Sequence, residues 1–149
     1  MMRIHAISTS ETKGVRKDNV LSAVLRPDHG IESDAHAGQW HRQVSLLARE
    51  SIEKMIAKGL TVGPGDFAEN ITTEGVDLVS LPVGRRLLLG DEALVEVTQI
   101  GKECHNRCAI YQQAGDCVMP REGIFVKVLT GGTIREGDPI SFVEDGDEG

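Results

Sequence analysis

A chain of 149 residues with 40% hydrophobic and 26% charged positions has the size of one soluble domain able to bury its own core. Aromatic residues make up only 3%, so that core must be built from Val, Leu and Ile. The net charge of −7, with no Lys/Arg run long enough to track a phosphate backbone, argues against nucleic acid as the main partner. No apolar stretch has transmembrane length, so no membrane association is expected.

The opening segment "MMRIHAISTSETKGVRK" lacks an apolar signal region, which points to the cytoplasm, where thiols stay reduced. Within it "MRIHAIS" alternates and predicts a first strand. "NVLSAVL" is apolar on both faces and predicts a buried strand closed by the turn "RPDHG". After "SDAHAGQWHRQ" comes "VSLL", a short strand, and then the one clear helix, near residues 48–59. Ala48, Ile52, Met55 and Ile56 share one of its faces, Glu50 and Lys54 stand at i,i+4, and Gly59 is a natural stop.

Beyond residue 61 turns and strands dominate, with room for short helical turns. "VGPGD" is a turn, and "RRLLLGDEALVEVTQIG" reads as a hairpin about Gly90-Asp91 with Ala93, Val95 and Val97 on one face. "GIFVKVLTGGTIREGDPISFV" reads as a strand, a Gly-Gly turn, a tight turn at "REGD" and a closing strand. Short strands and 17 glycines predict a mainly β domain over residues 3–143, a small barrel. The acidic tail "EDGDEG" (144–149) is expected to be flexible.

The chemistry concentrates in three polar blocks. All three cysteines of the chain fall in "GKECHNRCAIYQQAGDC" (101–117). Structural zinc wants four Cys/His ligands in close pairs. Cys104, His105, Cys108 and Cys117 offer four, but Cys104 and Cys108 are spaced C-x3-C and the second pair is missing. Buried free cysteine is the commonest alternative and suits Cys117, which runs into an apolar stretch. Cys104 and Cys108 sit instead among charges, beside His105 and Arg107, where a thiolate is favoured. A thiolate attacks sulfur, accepts a persulfide or binds a soft metal.

The second block, "GIESDAHAGQWHRQVS", collects Glu32, Asp34, His36, His41 and Arg42. The third is "GDFAENITTEG". Each could be a polar loop satisfying its own backbone, yet such loops are also where ligand sites gather. No phosphate-cradling glycine motif is present and no nucleophile-elbow motif supports a serine hydrolase.

Taken together, "GIESDAHAGQWHRQVSLL", "VGPGDFAENITTEGVDL" and "GKECHNRCAIYQQAGDCVMPREGIFVKVLTGGTIREGDPI" resemble a small stand-alone MOSC domain, named for the C-terminal domain of molybdenum cofactor sulfurase. The resemblance implies a mostly β, barrel-like fold and binding of the molybdenum cofactor, molybdopterin carrying Mo. In relatives, a MOSC cysteine ligates molybdenum, and "RCAI" places Cys108 there; some stand-alone members match Cys104 instead. An R-P-N stretch near the pterin in larger members corresponds to "AENI", so Asn70 matches and the arginine does not, leaving Arg42, Arg107 or Arg121 for phosphate contacts. His36 and Thr72 complete the cofactor-binding set.

The chain has no room for a pyridoxal-phosphate-binding desulfurase. The resemblance therefore implies a separate cysteine desulfurase or cofactor-biosynthesis protein as sulfur donor and a molybdoenzyme as acceptor. Rival readings are a molybdenum-dependent reductase of N-hydroxylated compounds, a non-catalytic cofactor chaperone and a zinc-structured module.

Overall fold

A computed structural model of the chain describes residues 2–11, 17–35, 37–101 and 122–143. Among them eleven strands form two sheets: β1 (Arg3–Thr9), β2 (Asp18–Val20), β3 (Ser22–Arg26), β4 (Gly30–Ile31), β5 (Val44–Ala48), β6 (Ile71–Glu74), β7 (Arg86–Leu89), β8 (Ala93–Ile100), β9 (Ile124–Thr130), β10 (Gly132–Arg135) and β11 (Ile140–Val143). The large sheet runs β11-β7-β8-β9-β5-β6-β1-β2 and the small one β10-β3-β4. The mainly β architecture expected from the sequence is therefore present.

The barrel is not closed. The large sheet ends at β11 on one side and at β2 on the other. A single Arg3–Pro139 bridge and the bonds Ile4 N–H to Asp138 O (2.8 Å) and Ile140 N–H to Met2 O (3.0 Å) tie its two flanks together.

The core lies between the sheets and is aliphatic, as the scarcity of aromatics requires. Ile4, Ile7, Leu46, Ile71, Leu87, Leu89, Val95 and Ile124 all belong to it with no exposed surface. The strict alternation of Ala93, Val95 and Val97 inward is what the hairpin reading predicted, and β7 and β8 pair across Gly90-Asp91 as expected.

Two segments depart from their sequence reading. "NVLSAVL" is not one buried strand. It breaks at Leu21, which is 79% exposed; β2 joins the large sheet and β3 the small one. Likewise the Gly-Gly turn does not fold β9 back on its successor. Gly131, where a Cβ would lie 2.6 Å from Leu25 O, lets the chain cross to the other sheet, so β10 pairs with β3 and β11 with β7.

The single helix, α1 (Arg49–Ala57), follows β5 directly and buries Ser51, Ile52 and Met55. Gly59, with φ +96°, ends it. Ile56 is 49% exposed rather than packed, because only one narrow stripe of this short helix faces the sheet. Glu50 and Lys54 do not pair with each other. Glu50 accepts the Gly75 N–H (3.1 Å) and Lys54 reaches Glu122 (2.9 Å), since tertiary partners outcompete a solvated helix pair. The short helical turns expected elsewhere include Leu78–Ser80. Among the described residues no helix is long and apolar enough to cross a membrane. The tail 144–149 lies outside the described residues.

Candidate functional site

The face of the large sheet turned away from the main core carries buried polar side chains, among them Ser45 and Thr72. Register places Ser45 opposite Phe125, Leu47 opposite Thr72, and Gln99 opposite Phe125, so these side chains share one surface. One half of it is covered by α1, where Leu47, Ile52, Met55, Phe67 and Phe125 form a second apolar cluster. The other half lies under the segment Trp40–Arg42.

At the α1 side, Asn70 is wholly buried and saturated with protein contacts. Its Oδ1 accepts the Ser45 N–H (3.0 Å) and hydroxyl (3.2 Å), and its Nδ2 donates to Ser8 O (3.2 Å). Its own N–H donates to the Ser45 hydroxyl (3.0 Å), while its C=O accepts the Ser8 N–H (2.7 Å). One residue thus brackets β1 and β5 at the entry to β6. Two positions on, the Thr72 hydroxyl donates to Glu69 Oε2 (2.9 Å), and Glu69 Oε1 accepts the Phe67 N–H (3.2 Å). Glu69 has no exposed surface, and burial pushes its carboxyl above the usual range although its hydrogen bonds pull the other way.

A third buried polar unit pins the loop after β4. Lys17 Nζ and Asp34 Oδ1 lie 2.9 Å apart with side chains 0% and 1% exposed, and Ser10 joins them through its hydroxyl to Lys17 (2.9 Å) and its N–H to Asp34 (3.1 Å).

The Trp40–Arg42 segment is held differently. Trp40 meets the His41 ring edge-on at 5.8 Å. The Arg42 guanidinium lies over the Trp40 ring at 5.3 Å and over Phe125 at 5.5 Å, a cation–π arrangement on two aromatics. Its Nε is buried and has no hydrogen-bond partner. The Thr98 hydroxyl bonds the His41 carbonyl. Gln99 Nε2 donates to Gly101 O (2.7 Å), which leaves Gln99 Oε1 as an acceptor facing His41 Nε2 (2.9 Å). His41 must therefore carry its proton on Nε2, with Nδ1 as the second ring position. The same Gly101 donates its N–H to Gly123 O (2.6 Å), so this tether reaches the point where the chain enters the cysteine block.

A cavity of about 570 Å³ opens at the other end of β5, between the start of α1 and Val76–Val79. Its carboxylates are engaged: Glu122 takes the Ser51 hydroxyl (2.6 Å), and Asp77 takes that of Ser80 (2.6 Å).

Of the site residues expected from sequence, the structure places Thr72 in β6, Asn70 just before it, and Arg42 in the segment entering β5, over Phe125 of β9. Phe125 links Arg42 to the Ser45–Asn70 bracket. Asn70 and Thr72 have no exposed surface and are spent on protein contacts, whereas Arg42 is not. Cys104, Cys108, His36, Arg107 and Arg121 lie outside the described residues. Among the described residues no three His, Cys, Asp or Glu side chains converge to hold a metal. Sequence reasoning missed Ser45, Glu69, Gln99 and the Lys17–Asp34 pair. Only Asp34 was flagged, as one member of a polar cluster.

The family model described as "MOSC domain" matches residues 33–141, and the chain belongs to that family, which is associated with the molybdenum cofactor. No curated protein matches the chain. Among solved structures, the YuaD protein of Bacillus subtilis superposes with a TM-score of 0.77 at 18% identity, over 94% of each chain. YiiM from Geobacillus stearothermophilus gives 0.72 at 22% identity over 99% of this chain and 77% of that one. YiiM from Escherichia coli gives 0.67 at 20% over 97% and 71%. At these identities the likeness is one of fold.

Proposed function

We propose that this domain binds a molybdopterin-type cofactor and uses a cysteine thiolate, Cys108 by preference and Cys104 as the alternative, to ligate molybdenum or to carry sulfane sulfur. The observation that carries this reading is the MOSC match across residues 33–141, which takes in nearly all of the three polar blocks. When bound, such a cofactor supplies a thiophilic metal centre that accepts a sulfur ligand. Arg107 and His105, adjacent in sequence to the two thiols, favour the thiolate. Arg42, with a buried donor lacking any protein acceptor, fits the anionic end of the cofactor. Asn70, Thr72 and Glu69 act by holding the 65–70 loop in place, and His36 and Arg121 contribute further polar contacts.

The reading makes the domain a sulfur carrier or transfer module. It receives sulfur from a separate pyridoxal-phosphate-dependent cysteine desulfurase or a cofactor-biosynthesis protein and serves an acceptor molybdoenzyme. The test is to incubate purified protein with molybdenum cofactor and measure bound Mo and transferable sulfur in the wild type, Cys108→Ser and Cys104→Ser. Loss in one serine variant is expected. Full binding and full sulfur loading in both would refute the thiolate role.

A further inference from the structure

The parallel strands β5 and β6 end side by side, with Ala48 opposite Thr73, and α1 begins at the very next residue. Their carboxyl ends and the first turn of the helix frame the cavity of about 570 Å³. In open α/β sheets, ligands bind outside the carboxyl ends of parallel strands, in pockets of this size. Val79, 44% exposed, supplies apolar surface, backed by the buried side chains of Ala48, Val76 and Leu78. Three carboxylates line the cavity, Glu50, Asp77 and Glu122, against one ammonium, Lys54. That ammonium already lies 2.9 Å from Glu122 Oε1. Glu50 holds the Gly75 N–H through Oε2, and Asp77, two residues on, holds the Ser80 hydroxyl through Oδ2. Both carboxylates are thereby fixed at one turn, and Oε1 and Oδ1 are the oxygens left to a ligand.

Two opposing fields set the sign of that ligand. The N-terminus of α1, which has no side-chain cap, carries roughly +0.5 of an elementary charge and favours an anion. Three carboxylates outweigh it, and Glu50 in the first turn already complements it. The cavity therefore favours a cation. A bare metal ion fits poorly, since among the described residues no three His, Cys, Asp or Glu converge to hold one.

We propose that this cavity binds a small organic cation, a primary ammonium carried on an apolar body. The ammonium sits between Glu50 and Asp77, where its three N–H donors can reach two separate carboxylate oxygens. The body lies against Val79, which a hydrated inorganic ion would leave uncovered. The site uses no residue assigned to the molybdenum cofactor, so it stands or falls apart from that reading.

The experiment follows backbone amide shifts of the intact, isotope-labelled protein by NMR. The titrants are hexylammonium, butylammonium, hexanol, hexanoate and magnesium chloride, at matched ionic strength. Hexylammonium should move the amides of residues 48–51 and 75–79 saturably, and hexanol, hexanoate and magnesium should not. It should bind about 4- to 10-fold more tightly than butylammonium, the gain of two methylenes on a partly open apolar surface. Val79→Ser should shrink that gain without abolishing binding of either amine. Glu50→Gln and Asp77→Asn keep the shape of each side chain, and each should weaken hexylammonium by about 3- to 10-fold. Hexanoate or hexanol binding as well as the amine overturns the proposal, as does unchanged affinity in both carboxylate variants. Magnesium moving the same amides would make this an inorganic cation site instead. Shifts of these amides with protein concentration alone would put a second copy of the chain on the surface, and either result also overturns it.

Discussion

Asn70 concentrates more structure in one side chain than any other residue of the site. Replacing it with alanine would leave the Ser45 N–H and the Ser8 carbonyl unpaired in the interior, at about 1–3 kcal/mol for each orphaned group. Asn70→Ala is expected to lower the urea unfolding free energy by about 2–5 kcal/mol. Glu69 makes a different prediction. Its folded carboxyl holds its proton above the 4.5 of a free glutamate, so on raising the pH the unfolded chain releases that proton first. The native state then binds more protons, and stability falls as pH climbs from 4.5 through the folded value. Urea melts across that range should show the decline in the wild type and not in Glu69→Gln. Neither role could be read from "AENITT", because burial there depends on Ser45, 25 residues back, and on Ser8, 62 residues back. Arg42 was legible as a cation in a polar cluster. Its lack of an acceptor was not, since that is a property of everything around it.

Elements with local determinants were legible and those fixed at a distance were not. The β7–β8 hairpin and α1 follow from alternation, Gly90-Asp91, helical spacing and Gly59. The break of "NVLSAVL" at Leu21 follows from β10, more than a hundred residues later, claiming β3 for the second sheet. The buried Lys17–Asp34 pair joins two connections in the same way, the chain entering β2 and the turn leaving β4. Removing one partner strands the other, so Asp34→Ala should cost about 3–5 kcal/mol, and Lys17→Met/Asp34→Leu should recover part of that loss in the same melts. Gly65 sits at φ +91° and a Cβ there would strike the Lys17 carbonyl. Gly65→Ala should therefore destabilise by about 1–3 kcal/mol from backbone strain, with the clash in addition, and raise amide exchange first across residues 65–70.

Across the whole molecule, one parallel pair, β5 with β6, is set in an otherwise antiparallel large sheet, and the crossover between them carries α1. That arrangement puts the 570 Å³ cavity at one end of β5 and the Arg42 wedge at the other, so the two features cannot serve one small ligand at once. The mainly β class was legible from glycine and strand content. A closed barrel was not the outcome, because closure depends on how β1 meets β11, and there the strands share a single isolated bridge, Arg3–Pro139. The seam has a practical corollary for rewiring the chain. Since Met2 and Ile140 are already hydrogen-bonded neighbours, the order of the strands along the polypeptide is separable from their order in space.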